Sequence, residues 1–139
     1  MPLNTQMTDF AVEVQADALA VLLDSGYIDV LTAPQPDNGN ETITTQTVLV
    51  TMSFGRPAFM KSDAGVISAN PINAGMGIAD GDPRWFRAYR ADHKTAIFDG
   101  SAGKAKDNNM VLPAKTIVEG VTVGCSGLTH TVRKSMPGV

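Results

Sequence analysis

The stretch from Pro83 to Gly103, PRWFRAYRADHKTAIFDGSAG, decides how the rest of the chain is read. It holds the only Trp, one of the two Tyr, two of the five Phe and one of the two His. Trp85, Phe86, Ala88 and Tyr89 form a run of high strand propensity, Ala91-Asp92-His93-Lys94 breaks it, and Thr95-Ala96-Ile97-Phe98 resumes it. The pattern predicts a β-hairpin. Aromatic cross-strand pairs contribute roughly 0.2–1 kcal/mol each over Ala pairs, which makes this hairpin the expected nucleus of a sheet.

Working outward towards the N-terminus, Thr8 or Asp9 is placed to cap a helix over residues 9–25. Its apolar positions Val12, Ala16, Leu19 and Leu23 fall on one face, and Ser25-Gly26 supplies a stop with Gly26 in the left-handed position. Before it, residues 1–8 have no periodicity and read as an extended arm, and Met1, Pro2, Leu3, Asn4, Thr5, Gln6 and Met7 are its candidate partner-binding residues. After the helix the signal turns to strands. Tyr27–Leu31 is closed by a Pro, Asn and Gly loop at 33–40. Thr44–Phe54 reads as the longest strand, apolar on both faces and therefore central. Shorter candidates follow at Ala58–Met60, Val66–Ala69, Met110–Leu112, Ile117–Val118, Val121–Val123 and Leu128–Arg133, with a loop or weak edge strand over Asn73–Pro83. Eight or so strands about ten residues apart, with no helical period between them, predict an all-β fold: an antiparallel β-sandwich or jelly roll, one domain over 9–139, with one N-terminal amphipathic helix.

Composition fits that expectation. Apolar residues make up 43% and charged ones 18%, with 13 Gly and 8 Pro, the balance of a turn-rich β protein. At 139 residues the chain would bury roughly 68–70% of its unfolded surface, enough for one core. The net charge of −3 comes with scattered Lys and Arg and no basic stripe, so nucleic acid is not an expected partner. A lone Cys125 excludes an internal disulfide and suits a reducing cytoplasm. No basic start with an apolar run, and no apolar stretch long enough for a bilayer, leaves the expectation of a soluble chain without a leader and without membrane partners.

The search for chemistry finds little to build on. His93 lies in a turn, and His130 in a strand beside threonines; two His and one Cys at these spacings outline no zinc site. Asp80-Gly81-Asp82 opens like a calcium loop, but Arg90-Ala91 stand where its closing acid should fall. Ser101-Ala102-Gly103-Lys104 has the Ser-x-x-Lys spacing of a nucleophile without the helix start that chemistry uses, and Ala105 stands where a phosphate loop needs Ser or Thr. Gly124-Cys125-Ser126-Gly127 lacks the last glycine of a hydrolase elbow, and no cation near Cys125 lowers its pKa. Asp29, Asp63, Asp99 and Glu119 remain as carboxylates able to pair only in space. The expectation is a protein with no catalytic, cofactor or metal site.

Six segments nonetheless resemble a known group: Leu23–Val30 (LDSGYIDV), Ile43–Thr47 (ITTQT), Phe54–Phe59 (FGRPAF), Ala64–Asn70 (AGVISAN), Trp85–Tyr89 (WFRAY) and Phe98–Ser101 (FDGS) look like stretches of small structural proteins of tailed bacteriophages. The resemblance spans Ala18 to Thr131. It implies a virion protein made in the bacterial cytoplasm, of the capsid decoration or cement type, whose partners are the major capsid protein and further copies of itself as a homo-trimer or homo-dimer. The alternatives are a head-to-tail joining or tail component, a carbohydrate-binding module using Trp85, Tyr89 and Tyr27, and a hydrolase built from the four carboxylates.

Overall fold

A computed structural model describes residues 6–132, so the arm residues Met1 to Thr5 and the last residues 133–139 lie outside the described part. The helix α1 runs Asp9–Val21. The Thr8 hydroxyl accepts the Ala11 N–H at 3.2 Å, and Asp9 adds a carboxylate to the first turn, where the helix dipole favours it. Val12, Ala16 and Ala20 are buried, as is Leu23 beyond the helix end. The expected helix over 9–25 is four residues too long: from Leu22 to Asp24 the chain tightens into i→i−3 bonds, and Ser25 takes the left-handed conformation at φ 58°. Gly26 is needed for a different reason than a left-handed φ. A Cβ there would fall 2.2 Å from the Tyr89 carbonyl oxygen, so glycine lets the chain pass against the hairpin.

Nine strands follow among the described residues: β1 (Tyr27–Leu31), β2 (Val48–Ser53), β3 (Val66–Ser68), β4 (Gly75–Met76), β5 (Trp85–Tyr89), β6 (Ala96–Gly103), β7 (Met110–Val111), β8 (Thr122–Val123) and β9 (Gly127–Thr131). Seven form one mixed sheet in the order β2-β1-β5-β6-β7-β9-β3, and β4 and β8 form a separate two-stranded ribbon. The fold is therefore mainly β with one helix. The hairpin predicted from Pro83 to Gly103 is β5 and β6, paired from Trp85↔Ser101 to Tyr89↔Ala96.

Two strand expectations need correction. The sheet is not wholly antiparallel, because β7 runs parallel to β6, pairing Ala102↔Met110 and Gly103↔Val111. Parallel neighbours ordinarily need a long crossover. Here residues 104–109 coil back in a spiral whose Asn side chains take over backbone bonds: Asn109 Oδ1 accepts the Ser101 N–H and Asn108 Nδ2 donates to the Ala105 carbonyl. The strand expected over Thr44–Phe54 is also shorter, since only Val48–Ser53 pairs, and it is not central: β2 stands at the end of the seven-strand order. Before it, the Gln46 side chain accepts the Thr44 N–H and donates to the Pro34 carbonyl, and the Thr32 hydroxyl accepts the Thr47 N–H. Those side chains satisfy the backbone in place of a ladder, and β6 is the longest strand.

The sheet curls on itself. In a flat sheet, six strand spacings would put β2 about 29 Å from β3. Yet Asn73, five residues after the end of β3, donates its N–H to the Ser53 carbonyl of β2, and five residues reach at most about 18 Å. One continuous apolar core fills the interior, with Ile28, Val30, Met52, Phe86, Met110 and Leu128 among its buried members. No helix among the described residues is long and apolar enough to cross a membrane.

Candidate functional site

Alternation along the central strands sends Ile28, Val30, Phe86 and Ala88 into the core and Asp29, Trp85, Arg87 and Asp99 to the sheet's opposite face. Register lines these up: Thr51 faces Asp29, Asp29 faces Arg87, and Arg87 faces Asp99, one polar row across four strands. Arg87 grips Asp99 with both arms of its fork, Nε to Oδ1 at 2.7 Å and Nη2 to Oδ2 at 2.9 Å. The Asp99 hydrogen bonds push the Arg87 pKa above its already high ordinary value, against the opposing effect of burial. The pair is buried, with side-chain exposures of 5% and 7%.

Residues 32–47 provide the cover. Arg87 Nη1 donates to the Glu41 carbonyl at 2.7 Å and the Trp85 indole N–H to the Thr32 carbonyl at 2.8 Å, so the loop is pinned over the row from beneath. The Arg87 guanidinium also lies 5.2 Å from the Trp85 ring centre. The loop also lines an open groove of about 630 Å³, with Pro34, Pro36, Asp37, Glu41 and Gln46 among its walls.

At the other end of the row stands His93, with φ at 55° in the hairpin turn. Asp92 holds that turn by accepting the Lys94 and Thr95 N–H groups and the Thr95 hydroxyl, bonds that hold its carboxyl down to a pKa of about 2. His93 Nε2 lies 2.9 Å from Asp29 Oδ1, which also accepts the Thr51 hydroxyl at 2.7 Å. The imidazole stacks on Tyr27 at 4.7 Å and meets the edge of Tyr89 at 5.2 Å. Burial is the main cause that raises the Tyr89 pKa, with Asp29 adding to it. The geometry has the His and Asp of a proton relay, but the one hydroxyl bonded to it among the described residues is that of Thr51, on the Asp29 side. What it does structurally is fasten the hairpin turn to β1.

The other residues singled out from sequence separate. His130 lies tilted against Phe98, ring centres 4.2 Å apart, and burial lowers its pKa. The Ser101 hydroxyl is engaged by Asn109, not by Lys104. Asp80 accepts the Glu119 N–H and Asp82 the Thr116 hydroxyl, which makes them turn and bridge residues. Among the described residues no three His, Cys, Asp or Glu side chains gather as a metal site would require. The four carboxylates do not converge: Asp29 and Asp99 share the row but are separated by Arg87, while Asp63 and Glu119 lie in distant turns. Cys125 is half-buried with its thiol near the Val111 and Gly127 carbonyls, and burial pushes its pKa up. Trp85 is fully buried and offers no face to a sugar ring. Of the arm, Gln6 is exposed and Met7 half-buried, and the rest lies outside the described residues.

Two surfaces that the sequence reading missed are apolar and exposed. On α1, Phe10, Val14 and Val21 are 75%, 50% and 65% exposed and, with exposed Ala18, form a stripe opposite the buried Val12-Ala16-Ala20 face. The signal was present as a second i, i+4, i+8, i+11 series in the helix. On the β4–β8 ribbon, Met76, Ile78, Val118 and Val121 are each about half exposed or more. Gly77 joins them by donating its N–H to the Val121 carbonyl and accepting the Gly120 N–H. A Cβ at Gly75 would fall 2.1 Å from the Thr51 carbonyl oxygen, so the ribbon presses closely against β2 there.

Comparison of the chain with protein-family models, with curated proteins and with solved structures found no match.

Proposed function

We propose that this protein is a structural component of a tailed-phage virion that binds the outer surface of the capsid as a decoration or cement protein. Its work is adhesion: many copies, each making modest contacts with the major capsid protein, gain avidity across a symmetric shell. The observation that carries the reading is the pair of exposed apolar surfaces, on α1 and on the ribbon, in a domain whose buried polar side chains among the described residues all have partners. Contiguous exposed apolar surface on an otherwise satisfied fold is the mark of an association face. The resemblance of the segments from Leu23 to Ser101 to phage structural proteins supplies the kind of partner.

The sandwich or jelly-roll description belongs to the same proposal. It is supported by the curl of the seven-stranded sheet and by the small ribbon, whose Gly75 lies against β2. The test is the copy number of the chain in purified particles of the phage that encodes it, by quantitative mass spectrometry against the major capsid protein. Hundreds of copies in simple ratio to the capsid subunit are expected. A dozen or fewer would move the protein to the neck or tail, and absence from particles would end the virion reading.

A further inference from the structure

We infer that a cleft of about 350 Å³ at the start of β5 is a binding site for a small phosphate monoester. Three cations from three separate segments line it: Arg84 just before β5, Lys104 at the head of the spiral after β6, and Lys115 between β7 and β8. Backbone and side-chain bonds hold those segments together. The Ala102 N–H donates to the Arg84 carbonyl at 3.1 Å and the Leu112 N–H to the Gly103 carbonyl at 2.8 Å. On the far wall, the Gly81↔Ile117 bridge and the Thr116 hydroxyl, donating to Asp82 at 2.8 Å, tie the stretch that carries Lys115 to the one that carries Arg84.

The chain gives these charges no internal answer. Among the described residues, none of the three cationic side chains has an ion pair or a hydrogen bond. Asp82 is the one acid among the lining residues, and it is engaged by Thr116. Asp107 in the spiral and Asp80 and Glu119 on the ribbon lie outside the lining. Three cations against one acid leave two positive charges in the cleft, on a chain whose net charge is −3. Like charges gathered in a concave site repel one another, and a bound anion relieves that repulsion.

The balance selects a dianion. A phosphate monoester carries about −1.5 to −2 charges at pH 7 and three acceptor oxygens, enough for one guanidinium and two ammonium groups. The planar fork of Arg84 matches phosphate oxygens, and the two lysines act as point charges beside it. The cleft is at the lower end of the size of small-molecule sites, so a few carbon atoms fit beside the phosphate. The acids around it and the net negative charge of the chain oppose a nucleic-acid strand. Gly103-Lys104 lacks the Ser or Thr of a nucleotide loop, and here Lys104 serves as one of three side chains brought together by the fold. Such a site needs no capsid, so it stands or falls apart from the copy-number test.

The experiment is an NMR titration of the full chain with glycerol phosphate at constant ionic strength, followed through the backbone amides. Saturable shifts are expected at Asp82, Arg84, Gly103 to Asn108 and Lys115, with a Kd on the order of 1 mM or tighter. Arg84→Gln, Lys104→Gln and Lys115→Gln should each weaken binding roughly tenfold. Lys94→Gln, in the hairpin turn and outside the cleft, should leave it unchanged. All four positions are exposed, and circular dichroism checks that each variant keeps the wild-type fold. Dimethyl phosphate, a diester with a single negative charge, should bind roughly tenfold more weakly than the monoester. Shifts that do not saturate well above millimolar glycerol phosphate overturn the inference. So do shifts scattered over the surface lysines, an equal loss in Lys94→Gln, or a diester that binds as tightly as the monoester.

Discussion

The sheet face around Arg87 and the outer face of α1 invert the usual rule in opposite directions. The first buries a charged row, Asp29, Arg87 and Asp99, under a loop; the second exposes Phe10, Val14 and Val21 to solvent. Buried charge is tolerated only when its partners are complete, and here they are: two bonds to Asp99, one to the Glu41 carbonyl, and for Asp29 the Thr51 hydroxyl and His93. Exposed apolar surface has no such internal answer. The polar row is thus explained within one chain, whereas nothing among the described residues covers the helix stripe.

The sharpest way to break the comparison is Arg87→Ala. Removing the guanidinium leaves Asp99 buried and unpaired and the loop over residues 32–47 without its pin. The expected loss is about 3–5 kcal/mol, measured by urea denaturation. The double change Arg87→Met with Asp99→Leu should recover most of it, because a buried ion pair contributes little over apolar residues of similar volume. If Arg87→Ala cost under about 1 kcal/mol, the row would be solvated and the contrast with α1 would dissolve.

A smaller effect sharpens the same point with pH. His130 sits opposite Ile67 in the β3–β9 pair and against Phe98, and burial holds its pKa below the ordinary value of 6.5. The unfolded chain therefore binds a proton more readily than the folded one. The His130 contribution is fully present above about pH 6.5 and is lost as pH falls through the lower folded value. His130→Phe should flatten the stability profile on the acid side of 6.5, as read from melting temperatures at several pH values. An unchanged acid slope would mean that other groups carry it.

How much of this was legible in the sequence depends on the range of the interaction. The hairpin could be read because its signal is local: aromatics, a polar turn and a second β run within a score of residues. β1 was legible at its observed bounds for the same reason. The parallel β6–β7 pair was not, because it depends on Asn108 and Asn109 replacing backbone bonds in a spiral, and asparagine in a loop reads simply as a turn. Thr44–Thr47 has strand propensity, but Gln46 and Thr32 divert it through side-chain bonds whose partners lie more than ten residues away. Arg87 was passed over although the signal existed. Once the hairpin register is drawn, a lone Arg amid aromatics falls opposite a lone Asp99. His93 as the partner of Asp29 could not be found locally, since 64 residues separate them.

The exposed stripe offers the finest test, because the expected effect is close to nothing. Val14 and Val21 are β-branched residues on the solvent side of a helix, where they lose side-chain freedom against the preceding turn and bury little in return. Gln is the better helix former at such sites, so Val14→Gln and Val21→Gln should each leave stability unchanged or raise it by about 0.3 kcal/mol in thermal melts. That sign separates the two regions. On the buried row, shortening a polar side chain is costly because its partners remain; on the stripe, replacing an apolar side chain removes nothing the single chain uses. If the double variant lost more than about 1 kcal/mol, the stripe would be packed against part of its own chain. Neutral or raised stability would instead mean that the chain keeps two poor helix formers on this face for a reason outside its own fold, and contact with a partner is such a reason.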